Sequence, residues 1–242
     1  MFPIEFQNVS KSIKEISILR NVSLGFKENH ITAVIGKSGS GKSKILKSIN
    51  GLVKPTKGEI KLFGKDLDYN NLIPTRLQIG YSVQGTGLFP HLNIFENISL
   101  LAKLNNRTKE EIELRTKKLM EMTDLSQEHG LKFPYQLSGG EQQRAGLCRA
   151  MMLDPKIFIL DEAFGALDVT TKYEIHSEFL NIQKTEPRTI VLVTHDLNEA
   201  FKLADEIVII EKGEIQQKGN KEDILNSPAN DFVKYFTASQ LI

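Results

Sequence analysis

Residues 31 to 43 constrain this chain more than any other stretch. Ile31-Thr32-Ala33-Val34-Ile35 is a β-branched, unbroken apolar run that ends at Gly36. Such a run reads as a strand buried on both faces, the kind found in parallel sheets. Gly36-Lys37-Ser38-Gly39-Ser40-Gly41-Lys42-Ser43 follows at once and fits G-x-x-x-x-G-K-[ST]. Its glycines let the backbone wrap closely around an anion with N–H groups pointing inward. A helix from about Lys42 to Leu52, stopped before Pro55, adds the positive end of its dipole. Strand, loop and helix together predict an α/β core built on a phosphate-binding loop. Lys42 would reach the β- and γ-phosphates of a nucleotide, and the Ser43 hydroxyl would bind Mg²⁺.

Two later segments extend this chemistry. Ile157-Phe158-Ile159-Leu160-Asp161-Glu162 is an apolar strand ending in two carboxylates. Asp161 can hold the Mg²⁺ shell, and Glu162 can accept a proton from an attacking water. Before it stands Leu137-Ser138-Gly139-Gly140-Glu141-Gln142. Ser138 and Glu141 have capping-box spacing, so a helix should begin at Ser138. A helix N-terminus flanked by two glycines is open to an anion. Since Lys42 and its loop already serve the chain's own phosphates, this second end is either an ordinary capped helix start with a tight turn or a site for a γ-phosphate held by a second chain.

The rest of the chain sets limits. Its 242 residues, 40% of them hydrophobic, suffice for one well-buried core with an attached subdomain. A formal net charge of +1 implies no general attraction to nucleic acid or anionic lipid. The single cysteine, Cys148, excludes an internal disulfide and reads as a small buried residue. No apolar run reaches the roughly 18 to 20 residues that span a bilayer. The N-terminus lacks the features of a signal peptide. The chain is expected to be soluble by itself, with any membrane role supplied by a partner.

Short strands are expected at residues 4 to 9, 18 to 26, 58 to 63, 79 to 83, 156 to 160 and 189 to 193, and a hairpin turns at Lys212-Gly213. From Leu88 to about Arg149 the pattern is helical, with capping-box spacing at Thr108 and Glu111 and an apolar face of Ile112, Leu119 and Met120. Asp196 and Glu199 repeat the capping spacing, and a last helix covers Lys221 to Asn226.

Taken together, the chain resembles the ATPase subunit of ABC transporters over nearly its whole length. Leu137 to Gln142 is similar to that family's signature motif. Gln84 matches the Q-loop glutamine, Asp168 in Ala166-Leu167-Asp168 the D-loop, and His195 the switch histidine. The resemblance implies a P-loop NTPase fold: a RecA-like α/β core, an antiparallel β subdomain, and an α-helical subdomain inserted at about 88–150, all in a single nucleotide-binding domain over 1–242. It implies ATP and Mg²⁺ as cofactors. ATP would be gripped by residues 36 to 44, Lys44 included, and by the residue at position 13. Ser43, Gln84 and Asp161 would serve the metal, and Glu162, His195 and Gln84 would act in hydrolysis. Across a head-to-tail dimer, Ser138, Gly139, Gly140, Gln142 and Asp168 would reach the other copy's ATP. Implied partners are a second ATPase subunit, integral membrane permease subunits, and an extracytoplasmic solute-binding protein acting through the permease. No nucleic acid is implied, and the location is the cytoplasmic face of the membrane.

A narrower likeness, to bacterial solute importers, rests on Ile79 to Gln84, Gly87 to His91 and Phe164 to Asp168. Ser227 to Val233 is similar to subunits serving glycine betaine, choline and related osmoprotectants, with amino acids the alternative cargo. Many osmoprotectant ATPases continue into paired CBS domains; this chain stops before them, so gating by that route is not expected. An exporter, a lipid-transport ATPase or a soluble non-transport ABC ATPase would share the main motifs. Leu88, Phe89, Leu92, Ile94 and Phe95 cluster after the Q-loop. Most are expected to be core, with Phe89-Pro90-His91 the exposed part offered to a membrane subunit. The chain departs from the family at four places. Ile13 stands where an aromatic residue usually stacks on adenine, Lys37 where proline is common, Lys44 where threonine is common, and Ala163 where proline follows the catalytic glutamate.

Overall fold

The computed structural model describes residues 2–165 and 167–240. Ala166 of the Ala166-Leu167-Asp168 motif lies outside the described residues, as does Ile242. The chain divides into two compact units, residues 1–79 with 188–242, and residues 80–187. The first unit opens with β1 (Ile4–Ile13), β2 (Ile16–Phe26), β3 (Ile31–Ile35), α1 (Lys42–Ile49), β4 (Lys57–Leu62), β5 (Lys65–Asp66) and α2 (Ile73–Arg76). The second takes β6 (Ile79–Ser82) from its second residue on, then α3 (Ile94–Leu104), α4 (Lys109–Met122), α5 (Gly139–Met151), β7 (Ile157–Asp161) and α6 (Val169–Thr185). The chain then returns to the first unit with β8 (Thr189–Val193), α7 (Leu197–Leu203), β9 (Glu206–Glu211), β10 (Glu214–Gly219), α8 (Lys221–Asn226) and α9 (Asp231–Ala238).

In the first unit β3 lies between β8 and β9 and runs parallel to both, with Ala33 paired to Leu192 on one side and Ile207 on the other. Every residue of β3 and β8 is buried. That is why both read as unbroken apolar runs rather than alternating ones. The antiparallel sheet has the order β2-β1-β4-β5. Its inner face is closed by Ile4, Phe6, Leu24, Phe26 and Ile60, with the Phe6 and Phe26 rings edge to face at 6.2 Å.

β1 and β2 are longer than expected, because the hairpin turns on Lys14 and Glu15 alone. Both residues have positive φ, 44° and 63°, the twist that suits a two-residue hairpin. Neither is the glycine or asparagine that would announce such a turn. Helix α1 is shorter than expected: it ends at Ile49, and Asn50 caps it.

In the second unit β7 neighbours β6. Helices α3, α4 and α5 each open with a reciprocal capping box, Asn93 with Glu96, Thr108 with Glu111 and Ser138 with Glu141. Ile112, Leu119 and Met120 are buried, as their spacing predicts. Cys148 is buried, and that burial pushes its thiol up to about 12, which makes it an inert core residue.

Asp196 departs from its predicted capping box. Its carboxylate accepts from the N–H groups of Asn198 and Glu199, but its own N–H donates to Thr194 Oγ1 at 3.0 Å. Among the described residues no helix is long and apolar enough to cross a membrane.

Candidate functional site

The phosphate loop belongs to the first unit and joins β3 to α1. Gly41 is the helix N-cap at φ 112°, a conformation open to glycine and strained for other residues. At Gly36 the limit is space. A Cβ there would lie 2.1 Å from the Ile210 carbonyl oxygen of β9. Lys42 is buried, and its Nζ donates to the carbonyls of Gly36 (2.7 Å) and Lys37 (3.0 Å). The ammonium is thus held across the mouth of its own loop. Ser40 is also buried, and its hydroxyl has no hydrogen-bond partner among the described residues. Leaving a buried polar group unmatched costs about 1–3 kcal/mol. A helix N-terminus, a lysine held at the loop and an unmatched hydroxyl fit the phosphates of a nucleotide.

The other candidates of this unit lie at strand and helix ends. Ser43 is exposed and Lys44 half-buried in the first turn of α1. His195 is exposed just beyond β8, next to Thr194, whose N–H donates to the Val34 carbonyl at 3.4 Å. Ile13 closes β1, pairs with Ile16 and is 44% exposed.

In the second unit, β7 ends at Asp161. The Tyr81 hydroxyl of β6 donates to Asp161 Oδ2 at 3.1 Å. Burial, and then the Asp161 charge, push the phenol's pKa well up, so Tyr81 remains a donor at any ordinary pH. Tyr81 is absent from the sequence-based candidates. Residue type and spacing carry no signal for it; only the fold shows that Gly80 and Ser82 are buried while Tyr81 turns to the other face of β6, half-buried.

Glu162 follows in the left-handed region at φ 48°, a conformation that costs about 1–3 kcal/mol and tends to mark functional sites. Burial just beyond it holds it there. Ala163 and Phe164 are almost wholly buried, and Phe164 packs edge-on against His176 at 4.8 Å and Phe179 at 5.8 Å. Alanine fits this buried turn in place of the family's proline. The Gln84 amide donates to Glu162 Oε2 at 3.0 Å, so two candidates far apart in sequence meet directly.

The signature segment is built around Ser138. Its N–H and its hydroxyl both donate to Glu141 Oε2 at 2.8 Å. These bonds, the backbone one foremost, hold the Glu141 carboxyl below the usual carboxylate range. The two glycines that follow differ in the space around them. A Cβ at Gly139 would meet nothing within 4 Å, whereas one at Gly140 would meet Thr171 Cγ2 at 2.6 Å.

Arg144 of α5 grips Glu178 of α6 with two bonds, Nε to Oε2 at 3.1 Å and Nη2 to Oε1 at 2.8 Å. This paired geometry fixes one helix against the other. Gln142 faces back toward its own helix start, its amide donating to the Leu137 carbonyl at 3.1 Å. Asp168 is the N-cap of α6, accepting from the N–H groups of Thr170 (3.1 Å) and Thr171 (3.0 Å). Bonds from Thr171, side chain first, lower its pKa.

Comparison with known proteins decides the family. Residues 19–165 match the family model described as ABC transporter. The chain belongs to the ABC transporter ATP-binding family. It is 41% identical over 233 residues to the glycine betaine uptake system ATP-binding protein YehX of Escherichia coli, covering 96% of this chain and 76% of that one. It is 41% identical over 238 residues to the choline transport ATP-binding protein OpuBA of Bacillus subtilis, covering 98% of this chain and 62% of that protein's length. Among solved structures it resembles the ATP-binding cassette MJ0796, a dimer in a post-hydrolysis state bound to ADP and Pi. The TM-score is 0.80 at 33% identity, over 90% of this chain and 98% of that one. The P-loop NTPase fold of an ABC cassette therefore holds for this chain, and ATP is the nucleotide its family binds.

Proposed function

We propose that this ABC protein is the ATP-hydrolysing subunit of an importer for quaternary-ammonium osmoprotectants such as glycine betaine and choline. The observation that carries the reading is its 41% identity, over 96% of the chain, to a glycine betaine uptake subunit. The phosphate loop from Gly36 to Ser43 supplies backbone donors, and Lys42 supplies the charge that follows the β- and γ-phosphates. Ser43, Asp161 and Gln84 have the donor atoms to hold Mg²⁺, which would neutralise charge on the phosphates. Glu162 takes a proton from water, and Gln84, already bonded to it, orients it. His195 serves the γ-phosphate. Ser138 to Gly140, with Gln142 and Asp168, act on the ATP of a second copy, so binding favours the closed pair and hydrolysis releases it. Permease subunits, and a solute-binding protein acting through them, complete the importer at the cytoplasmic face of the membrane.

The partner surface of this reading centres on Phe89. Phe89 is 42% exposed, and of the cluster expected to be core only Ile94 is buried, Leu88, Leu92 and Phe95 being half-buried because their loop and the first turn of α3 leave one side to solvent. Asn97 holds the Phe89 backbone from both sides, accepting its N–H at 2.7 Å and donating to its carbonyl at 3.0 Å. The test is vesicle reconstitution with the permease and solute-binding protein, measuring uptake of labelled glycine betaine and of choline. Uptake should need ATP inside and this subunit. Phe89→Glu should abolish most uptake and spare basal hydrolysis. Loss of both together would make Phe89 a packing residue, and uptake of neither compound would overturn the cargo.

Ile13 bears on nucleotide choice. Base stacking on an aromatic side chain is worth about 1–3 kcal/mol, and Ile13 offers no ring. Ile13→Tyr should tighten ATP binding at least about fivefold. Titration with ATP and GTP checks it, and no gain for either nucleotide would remove Ile13 from the base site.

A further inference from the structure

The phosphate loop carries one cation with no part in the roles above, the Lys37 ammonium. It lies 5.4 Å from the centroid of the Phe232 ring, within the range of a cation–π contact. Phe232 sits in the first turn of α9 and stacks on Phe236 one turn later, with centroids 5.7 Å apart and planes 20° apart.

The start of α9 is itself held firmly. Asn230 Oδ1 caps the helix by accepting the Val233 N–H at 3.0 Å, and Asn230 Nδ2 donates to Gln216 Oε1 at 3.1 Å. The Ala229 N–H donates to Gln217 Oε1 at 2.7 Å, and Gln217 Nε2 donates to the Ser227 carbonyl at 3.0 Å. Gln216 and Gln217 belong to β10. The hairpin that β10 shares with β9 also touches the phosphate loop, where the Gly213 N–H donates to the Ser40 carbonyl at 2.9 Å. Loop, hairpin and α9 are therefore linked in one unit.

We propose that Phe232 is a positioning residue for the phosphate loop: its ring holds the Lys37 ammonium and so steadies the Lys37 peptide. That peptide matters because its carbonyl accepts from Lys42 Nζ at 3.0 Å and from the Ser40 N–H at 3.2 Å. A loop without this tether loses more conformational freedom when nucleotide binds. The inference rests on reading the loop as a nucleotide site.

The experiment is a binding titration of the full chain with MANT-ATP, a ribose-labelled fluorescent ATP, in a double-mutant cycle. Saturable binding by the wild-type chain tests the nucleotide reading by itself. Phe232→Ala and Phe232→Leu should each weaken binding about two- to fivefold, while Phe232→Tyr, which keeps the ring face, should match wild type. In a Lys37→Met background, Phe232→Ala should cost nothing further. Wild-type affinity in Phe232→Leu, or an equal second loss in the Lys37→Met background, would make Phe232 ordinary packing and overturn the tether.

Discussion

Glu162→Gln should lower ATP turnover by about 100- to 10,000-fold, the range that a positioned general base contributes, while ATP still binds. The amide has the shape of the carboxylate and keeps an oxygen for the Gln84 donor, now 3.0 Å from Glu162 Oε2. The left-handed backbone at residue 162 should also persist, because buried Phe164 anchors the turn. What is lost is a group able to accept water's proton. If two copies share each ATP, the variant should accumulate as an ATP-bound pair in gel filtration with light scattering. Turnover near wild type would remove Glu162 as the base. A variant that stays monomeric under saturating ATP and Mg²⁺ would count against the shared nucleotide.

The parts of the fold most legible in the sequence are those set by local chemistry. β3 and β8 are buried on both faces, and their short β-branched apolar runs are the pattern such interior strands leave in a sequence. The capping boxes at Thr108 and Ser138 are short-range and appear as their spacing predicts. Helix α6 is hidden in the sequence for the opposite reason. It opens on Val169, Thr170 and Thr171, β-branched residues that favour strands, and buries only Ile175, His176, Phe179 and Ile182. Helix α9 is hidden because Phe232 and Val233 read as part of a motif rather than as a helix start.

The candidate site divides in the same way. Type and spacing single out the motif residues, and the Gln84–Glu162 contact gives two of them a shared geometry. Tyr81 and Phe232 cannot be found so. Neither belongs to a phosphate motif, and each acts through a neighbour distant in sequence, Asp161 for one and Lys37 for the other. The unusual Lys37 is visible in the sequence, but the ring that holds it is not.

Gly36→Ala should damage nucleotide binding more than it damages the fold. The added Cβ would fall 2.1 Å from the Ile210 carbonyl oxygen and 2.8 Å from Ser40 Oγ. Both distances are far inside contact, so something must move. Ile210 is held in the β9–β10 ladder opposite Ile215, and the next strand pair, Ile35 with Ile209, ties β9 to β3. The phosphate loop is the softer side and should be the one that shifts. Overpacking of this kind costs about 1–3 kcal/mol, which corresponds to a Tm lower by roughly 2–12 °C for a chain of this size. The loop shift also moves the Gly36 carbonyl, one of the two acceptors that hold Lys42 Nζ. Misplacing one charge-assisted hydrogen bond is worth about 1.5–3 kcal/mol, so MANT-ATP affinity should fall about tenfold or more. Thermal melting and MANT-ATP titration of the same preparation separate the two effects. A lower Tm with unchanged affinity would mean that β9 gives way instead of the loop, and that the grip on the phosphates does not depend on how closely Gly36 approaches Ile210.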